Sequence, residues 1–404
     1  VTRARPIAPY VAAVVAGAVL CLYLATVAHK FGLDLRVYRD SATAFREGRD
    51  PYRLTFTHHD LPFTYPPFAL AVLTSLTWAS YAVTQWAEWV VSVAATTVAV
   101  VIVLLDRGFP KRVSIWCGAF AWVAASMLVL EPARSGIDYG QIEFVLMFLV
   151  VADLLVIPAP FRGIAVGIAA AIKLTPLIFV VVLVVRRDWA STARVLLSFV
   201  FFTLFSWLLW PNLSRVFWHR DVTRPGRVGP VANASNQSWF GIVHRAPFPA
   251  TGSAPTWLAL SLVTVLLGVF IAWRCTQTER QSFAVIAVAL VGLLISPISW
   301  SHHWVWVVLI PPMLIGPLRH DTRRVVRSML WGIVAITVLG PYWWVGRGAG
   351  ADLLEALLPV WTFATLAVWS MVEHSQWSRP MAGSDHDVVA EAGATELSPT
   401  GAAQ

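Results

Sequence analysis

The chain has 404 residues, of which 57% are hydrophobic and only 13% charged, and its formal net charge is +8. A soluble domain carries about 25% charged residues, so this composition excludes an ordinary soluble enzyme. The cations sit in short loops between apolar runs, where they set membrane orientation, which argues against nucleic-acid binding.

Apolar runs of about 18 residues or more recur along the chain, the pattern of a polytopic helical membrane protein. The short alternating segments of a β-barrel do not stand out. Cys21, Cys117 and Cys275 lie in or at the ends of apolar runs, without metal-ligand spacing or a disulfide framework.

The first apolar run, about residues 10–28, follows Arg3 and Arg5 and reads as a retained signal anchor with a cytoplasmic N-terminus. Residues 29–66 then form a first outer loop. Within it, 35–47 is patterned as a short interfacial helix, Gly48-Arg49-Asp50-Pro51 marks a turn, and His58-His59-Asp60 is polar. Tyr65-Pro66-Pro67 breaks any helix and starts an apolar piece to residue 78, read as re-entrant or interfacial.

Crossings are expected at about 86–105, 114–130, 144–157, 194–210, 257–273, 283–295, 305–318, 329–344 and 357–371. Residues 162–187 are basic at both ends and interrupted by Lys173-Leu174-Thr175-Pro176, the pattern of two half-helices with a break at depth. Further outer loops are expected at 131–143, 211–255 and 296–304. The expected architecture is an all-α bundle of roughly ten to twelve membrane helices, one domain over 1–372, with a disordered cytoplasmic tail at 373–404. The outer loops are long and rich in His, Arg, Asp and Trp, so work is expected at the extracytoplasmic face. No internal repeat is evident, which weakens a transporter reading.

Asp34 lies just beyond the first membrane helix, with Tyr38 one turn later. A carboxylate there can take a proton from an incoming hydroxyl; equally, Asp34 can cap the helix that leads into Tyr38. Asp40 is a second candidate acid, or the partner of Arg36 on a solvated helix face. Asp60 reads as a loop acid. His302 and His303 stand among Trp300, Trp304 and Trp306, suited to contact a phosphate or sugar oxygen or to sit in an interfacial aromatic belt. Lys173 is a cation inside an apolar stretch, which marks a functional site unless the side chain snorkels to an interface. Arg134, Arg215, Arg220 and Arg224 are outer-face cations. No Walker loop, GxSxG or HExxH motif occurs, and a cytoplasmic nucleotide-sugar donor is disfavoured.

Seven motifs occur in order. They are Gly32-Leu33-Asp34-Leu35-Arg36-Val37-Tyr38, Gly48-Arg49-Asp50-Pro51-Tyr52, Phe63-Thr64-Tyr65-Pro66-Pro67-Phe68, Gly140-Gln141, Ala171-Ile172-Lys173-Leu174-Thr175-Pro176, Asn236-Gln237-Ser238 and Ser296-Pro297-Ile298-Ser299-Trp300-Ser301-His302-His303-Trp304. Together they resemble the actinobacterial polyprenyl-phosphate-mannose-dependent α-1,2-mannosyltransferases of the GT-C superfamily, over about residues 8–372. The resemblance is to enzymes that extend phosphatidylinositol mannosides or branch lipomannan. It implies a multi-pass protein of the cell membrane with cytoplasmic termini, a lipid-linked sugar donor, a glycolipid acceptor and an inverting single displacement. Asp34 is then the base, and Lys173, His302, His303 and an outer-loop arginine receive the leaving phosphate. Gln141 and Gln237 position sugar hydroxyls, and Arg36, Tyr38, Asp40, Tyr65, Asn236 and Trp300 complete the expected substrate-binding set. No Asp-x-Asp pair lies near Asp34, so no cofactor and no metal are expected. An arabinofuranosyltransferase of the same superfamily and a lipid-linked sugar transporter or flippase are the alternatives.

Overall fold

The computed structural model describes residues 7–28, 32–245, 253–277, 281–315, 322–344 and 349–374. The expected tail beyond 374 and the basic residues Arg3 and Arg5 lie outside the described residues. Among the described residues the chain is mostly helical, and six helices there are long and apolar enough to cross a membrane: Ala8–Val27, Tyr81–Asp106, Trp189–Leu209, Ala254–Gln277, Arg324–Trp343 and Leu353–Val372. They mark the chain as a membrane protein.

The other expected crossings are shorter or broken. Val113–Val129 turns through 85° into Glu131–Tyr139, so the segment expected as an outer loop at 131–143 is largely helical. Pro132 sits in the first turn of that helix, where a missing N–H costs nothing. Glu143–Leu155 has 13 residues and Gln281–Ile295 has 15. The segment expected as a helix over 305–318 is a 3₁₀ run, Ser301–Leu309, followed by the short helix Ile310–Leu314 with its Pro311-Pro312. A 3₁₀ run of nine residues is long for its type, since such runs rarely exceed 3–4 residues.

The expected break at Lys173 is present. Ile164–Ile172 ends there, Lys173 is extended at φ −147° and ψ 130°, and Thr175–Phe179 resumes as a 3₁₀ turn before Val180–Val185. Pro176 supplies the reason: it has no N–H to bond the Ile172 carbonyl four residues back, and its ring clashes with that carbonyl, so the helix stops at Ile172. A two-stranded hairpin, Thr55–Phe56 with Leu61–Pro62, is the one sheet among the described residues, and an isolated antiparallel bridge joins Asn236 to Trp300.

Two apolar cores organise the packing. The larger joins the long spans with Glu143–Leu155, Gln281–Ile295 and Ser301–Leu309. The smaller lies beneath the helix Leu33–Arg46 and gathers Tyr38, Tyr52, Phe63, Tyr65, Leu70 and Phe217. Leu35, Tyr38 and Ala42 recur at helical spacing on the buried face of that helix, while Arg36 and Asp40 face outward. The site described next lies where these two cores meet.

Candidate active site

Glycines bring Asp34 and Gln141 together. Gly32 caps the Leu33–Arg46 helix at φ 102°, so Asp34 is a residue of its first turn and not its cap, which corrects the capping alternative. A Cβ at Gly32 would lie 2.1 Å from the Tyr81 hydroxyl. Gly140 ends the Glu131–Tyr139 helix at φ 73°, a left-handed conformation open to glycine at no steric cost. A Cβ there would lie 2.7 Å from Leu35 Cβ. These close approaches set the Gln141 amide against the Asp34 carboxylate.

From Gln141 a directed chain of hydrogen bonds runs to Lys173. Gln141 Nε2 donates to Asp34 Oδ2 and lies 3.1 Å from His302 Nε2. Its Oε1 accepts from the Tyr38 hydroxyl at 3.1 Å. Tyr38 has thereby used its only proton, so the 2.7 Å contact between the Tyr38 and Tyr65 hydroxyls must have Tyr65 as donor. Tyr65 in turn accepts from Lys173 Nζ at 3.4 Å. Every link donates toward Asp34, so the Lys173 charge polarises the whole chain toward the carboxylate.

Lys173 also pairs with Glu143, and its Nζ lies 3.4 Å from His303 Nε2. His303 Nε2 is 3.3 Å from Glu143 Oε1. The two histidines sit side by side yet serve different partners. The 3₁₀ geometry turns successive side chains by about a third of a revolution. One ring therefore meets Gln141 and the other the Lys173–Glu143 pair, with the rings at 88° to each other. Burial first, and Lys173 second, push His302 down to about 3, so its imidazole is neutral and accepts from Gln141. Burial is also the main force on Asp34: with help from Glu143 and against Lys173 and Gln141 it raises the carboxyl to about 7.

These groups border a cavity of about 480 Å³. Asp34, Tyr38, Tyr65, Gln141, Lys173, Trp300, His302 and His303 all line it, so eight of the expected site residues converge. The exposed Arg224 stands at its edge, and Arg134, Arg215 and Arg220 are not among its lining. Arg220, together with Arg227 of the cavity lining, instead holds the buried Asp221, and both donate to Tyr52 O, which fixes the segment around Tyr52 in place.

Four expected site residues lie elsewhere. Arg36 stacks on the Tyr81 ring, 4.4 Å from its centroid, and Asp40 is exposed on the same outward face. Asn236 is fully buried and its amide is spent on the protein: it donates to Val231 O and Pro297 O and accepts from Ser299 N and the Ser238 hydroxyl. Gln237 donates to Ala234 O and pairs its backbone N–H with Ser299 O. Both residues therefore fasten the 230s segment beneath Trp300 and do not enter the cavity. Asp60 accepts from Thr55 in the hairpin turn, as expected of a loop acid.

Sequence reasoning missed two buried acids, Glu143 and Glu131. Glu131 accepts from Ser301, Ser135, Tyr342 and Trp343, and so ties down the start of the histidine turn. The available signal was an acid at the edge of an apolar run, a weaker form of the charge within an apolar stretch that singled out Lys173. Among the described residues, no three His, Cys, Asp or Glu side chains form a group able to hold a metal ion.

Glycosyltransferase family 87 matches residues 63–297 of this chain. One similar protein is named a polyprenol-phosphate-mannose-dependent alpha-(1-2)-phosphatidylinositol mannoside mannosyltransferase, from Mycolicibacterium smegmatis. It is 30% identical over 86% of this chain and 85% of its own length. A protein of the same name from Mycobacterium tuberculosis is 32% identical over 74% of each chain. A third, named for a phosphatidylinositol pentamannoside and also from Mycobacterium tuberculosis, is 34% identical over 77% of this chain and 72% of its own. No solved structure matches the chain.

Proposed function

The chain belongs to glycosyltransferase family 87, and from that premise we propose that it moves mannose from polyprenyl-phosphate mannose to a mannose 2-hydroxyl of a phosphatidylinositol mannoside or lipomannan acceptor. The observation that carries this reading is that one cavity holds both a carboxylate of raised proton affinity and a lysine–histidine cluster. A transfer from a lipid phosphate needs a base on one side of the sugar and charge stabilisation on the other.

In this mechanism Asp34 takes the proton of the acceptor hydroxyl as its oxygen forms the new bond to C1 of mannose. The bond from C1 to the phosphate oxygen breaks, its electron pair leaves with the phosphate, and the β-linked donor gives an α-linked product. The departing lipid phosphate gains a negative charge and needs no general acid. Lys173, His302 and His303 stabilise it, and Arg224 supplies a further cation at the cavity edge. Trp300 offers an aromatic face to a sugar. No metal or cofactor takes part. The names of the similar proteins support the donor and the acceptor class. The protein would lie in the cell membrane as a single GT-C-type bundle, with the cavity on the extracytoplasmic side and both termini in the cytoplasm.

The test is mannose transfer by purified protein from polyprenyl-phosphate mannose to a mannosylated phosphatidylinositol. Asp34→Asn keeps the size of the side chain but cannot take the proton, and loses about 10²–10⁴-fold in rate. Asp40→Asn, on the outward face, retains activity. Wild-type protein that transfers no mannose under these conditions sinks the assignment, and full activity in Asp34→Asn sinks the role of Asp34.

A further inference from the structure

Glu143 has no part in the proton transfer above, yet it is the acid held against the cation of the site. It is buried, at 8% exposure. Its Oε1 takes the Lys173 ammonium and lies 3.3 Å from His303 Nε2. Its Oε2 is buried with no hydrogen-bond partner among the described residues. A second cavity of about 60 Å³ adjoins it, lined in part by Glu143, Lys173, Ser296, Ser299 and His303. Lys173 and His303 therefore border both this small cavity and the large one.

We infer that Glu143 is the resting counterion of Lys173 and competes with the lipid phosphate for that ammonium, so that it sets how tightly donor and product are held. This rests on the transfer reaction proposed above. A lone ammonium in a desolvated site is unfavourable, and with the large cavity empty of phosphate Glu143 supplies the opposite charge. Once a phosphate arrives, one ammonium faces two anions.

The donor is a phosphodiester with a single negative charge. The product is a monoester, whose charge is about −1.5 to −2 near neutral pH. A site built only of cations would hold its product more tightly than its substrate. A fixed carboxylate on the same lysine opposes that excess by repulsion and by keeping part of the lysine's hydrogen bonding. The groups that face Glu143 are Lys173 from the helix break and His303 from the 3₁₀ run. Tyr65, Tyr38 and Asp34 stand beyond them from the outer segment and feel its charge. Glu143 is thus a positioning residue, acting on the phosphate through Lys173.

Binding of decaprenyl phosphate to the detergent-solubilised full chain tests this. Glu143→Gln frees a charge-assisted hydrogen bond of Lys173, and the phosphate is expected to bind about tenfold tighter, with donor KM falling in step. Structural damage does not tighten binding. In a Lys173→Met background the same Glu143→Gln change is expected to leave affinity unaltered, because the ammonium that couples the two anions is gone. Glu143→Asp keeps a counterion in the site but draws the carboxylate back from Lys173, so a smaller tightening in the same direction is expected and the inference is tested even where Glu143→Gln does not fold. Unchanged or weaker phosphate binding in folded Glu143→Gln overturns the inference, as does an effect that persists without Lys173. Wild-type protein that binds the phosphate but transfers no mannose would instead overturn the proposed reaction.

Discussion

With Asp34 as the base proposed above, acid is expected to switch this enzyme off through one carboxyl. Asp34 sits against the meeting point of two cores, and burial pushes its carboxyl from 3.8 to about 7; Glu143 adds to the rise, while Lys173 and Gln141 restrain it. A base works only when ionised, and kcat/KM reports the free enzyme. Below the pKa the ionised fraction falls tenfold per unit. With a value of about 7, kcat/KM is expected to be half-maximal near neutrality and about 100-fold below its plateau at about pH 5. A carboxyl at the ordinary 3.8 would lose less than about a tenth over the same range. The stability sign runs the other way. Asp34 holds its proton more tightly in the folded chain, so its contribution favours the fold at low pH and is lost as pH rises from 3.8 through about 7. The assay is initial-rate mannose transfer at subsaturating donor, from about pH 5 to about pH 8, with melting checked at each pH. A flat profile in intact wild-type protein refutes the reasoning. So does an acid limb that survives unchanged in the residual activity of Asp34→Asn.

Two further outcomes follow from the packing. Gln141 donates to Asp34 and lowers its proton affinity. Gln141→Leu therefore moves the acid limb of kcat/KM to higher pH, with activity partly recovered in alkaline buffer; a limb left in place would show that Gln141 does not act through Asp34. In Gly241→Ala the new Cβ would lie 2.3 Å from Asn236 O and 2.8 Å from Asn236 Cγ. Overpacking of this kind costs about 1–3 kcal/mol, so the variant is expected to melt earlier than wild type and to lose activity as the Trp300 segment shifts. Co-melting with wild type would count against the fastening role of Asn236.

The sequence alone disclosed the membrane-helical class, the short helix beside Asp34, and the break at Lys173. Each of these is a local property. Apolar length, a repeat of buried positions at Leu35, Tyr38 and Ala42, and the missing N–H of Pro176 act within a few residues of themselves. Asp34, Lys173 and the two histidines were legible as candidates for a related reason: charge and imidazole stand out in a chain that is otherwise apolar.

The partnerships were decided only by tertiary structure. Asp34 meets Gln141, 107 positions away, because Gly140 and Leu35 pack closer than any Cβ would allow. Lys173 pairs with Glu143 because the helix break faces the first turn of the helix Glu143–Leu155. Asn236 and Gln237 lie in a motif beside the site, yet their side chains fasten the backbone beneath Trp300. Arg36 and Asp40 share a helix with Asp34 and face away from the cavity. Spacing along a chain says which residues share a helix face. It does not say which face of another segment will lie opposite, since that depends on how two whole cores pack against each other.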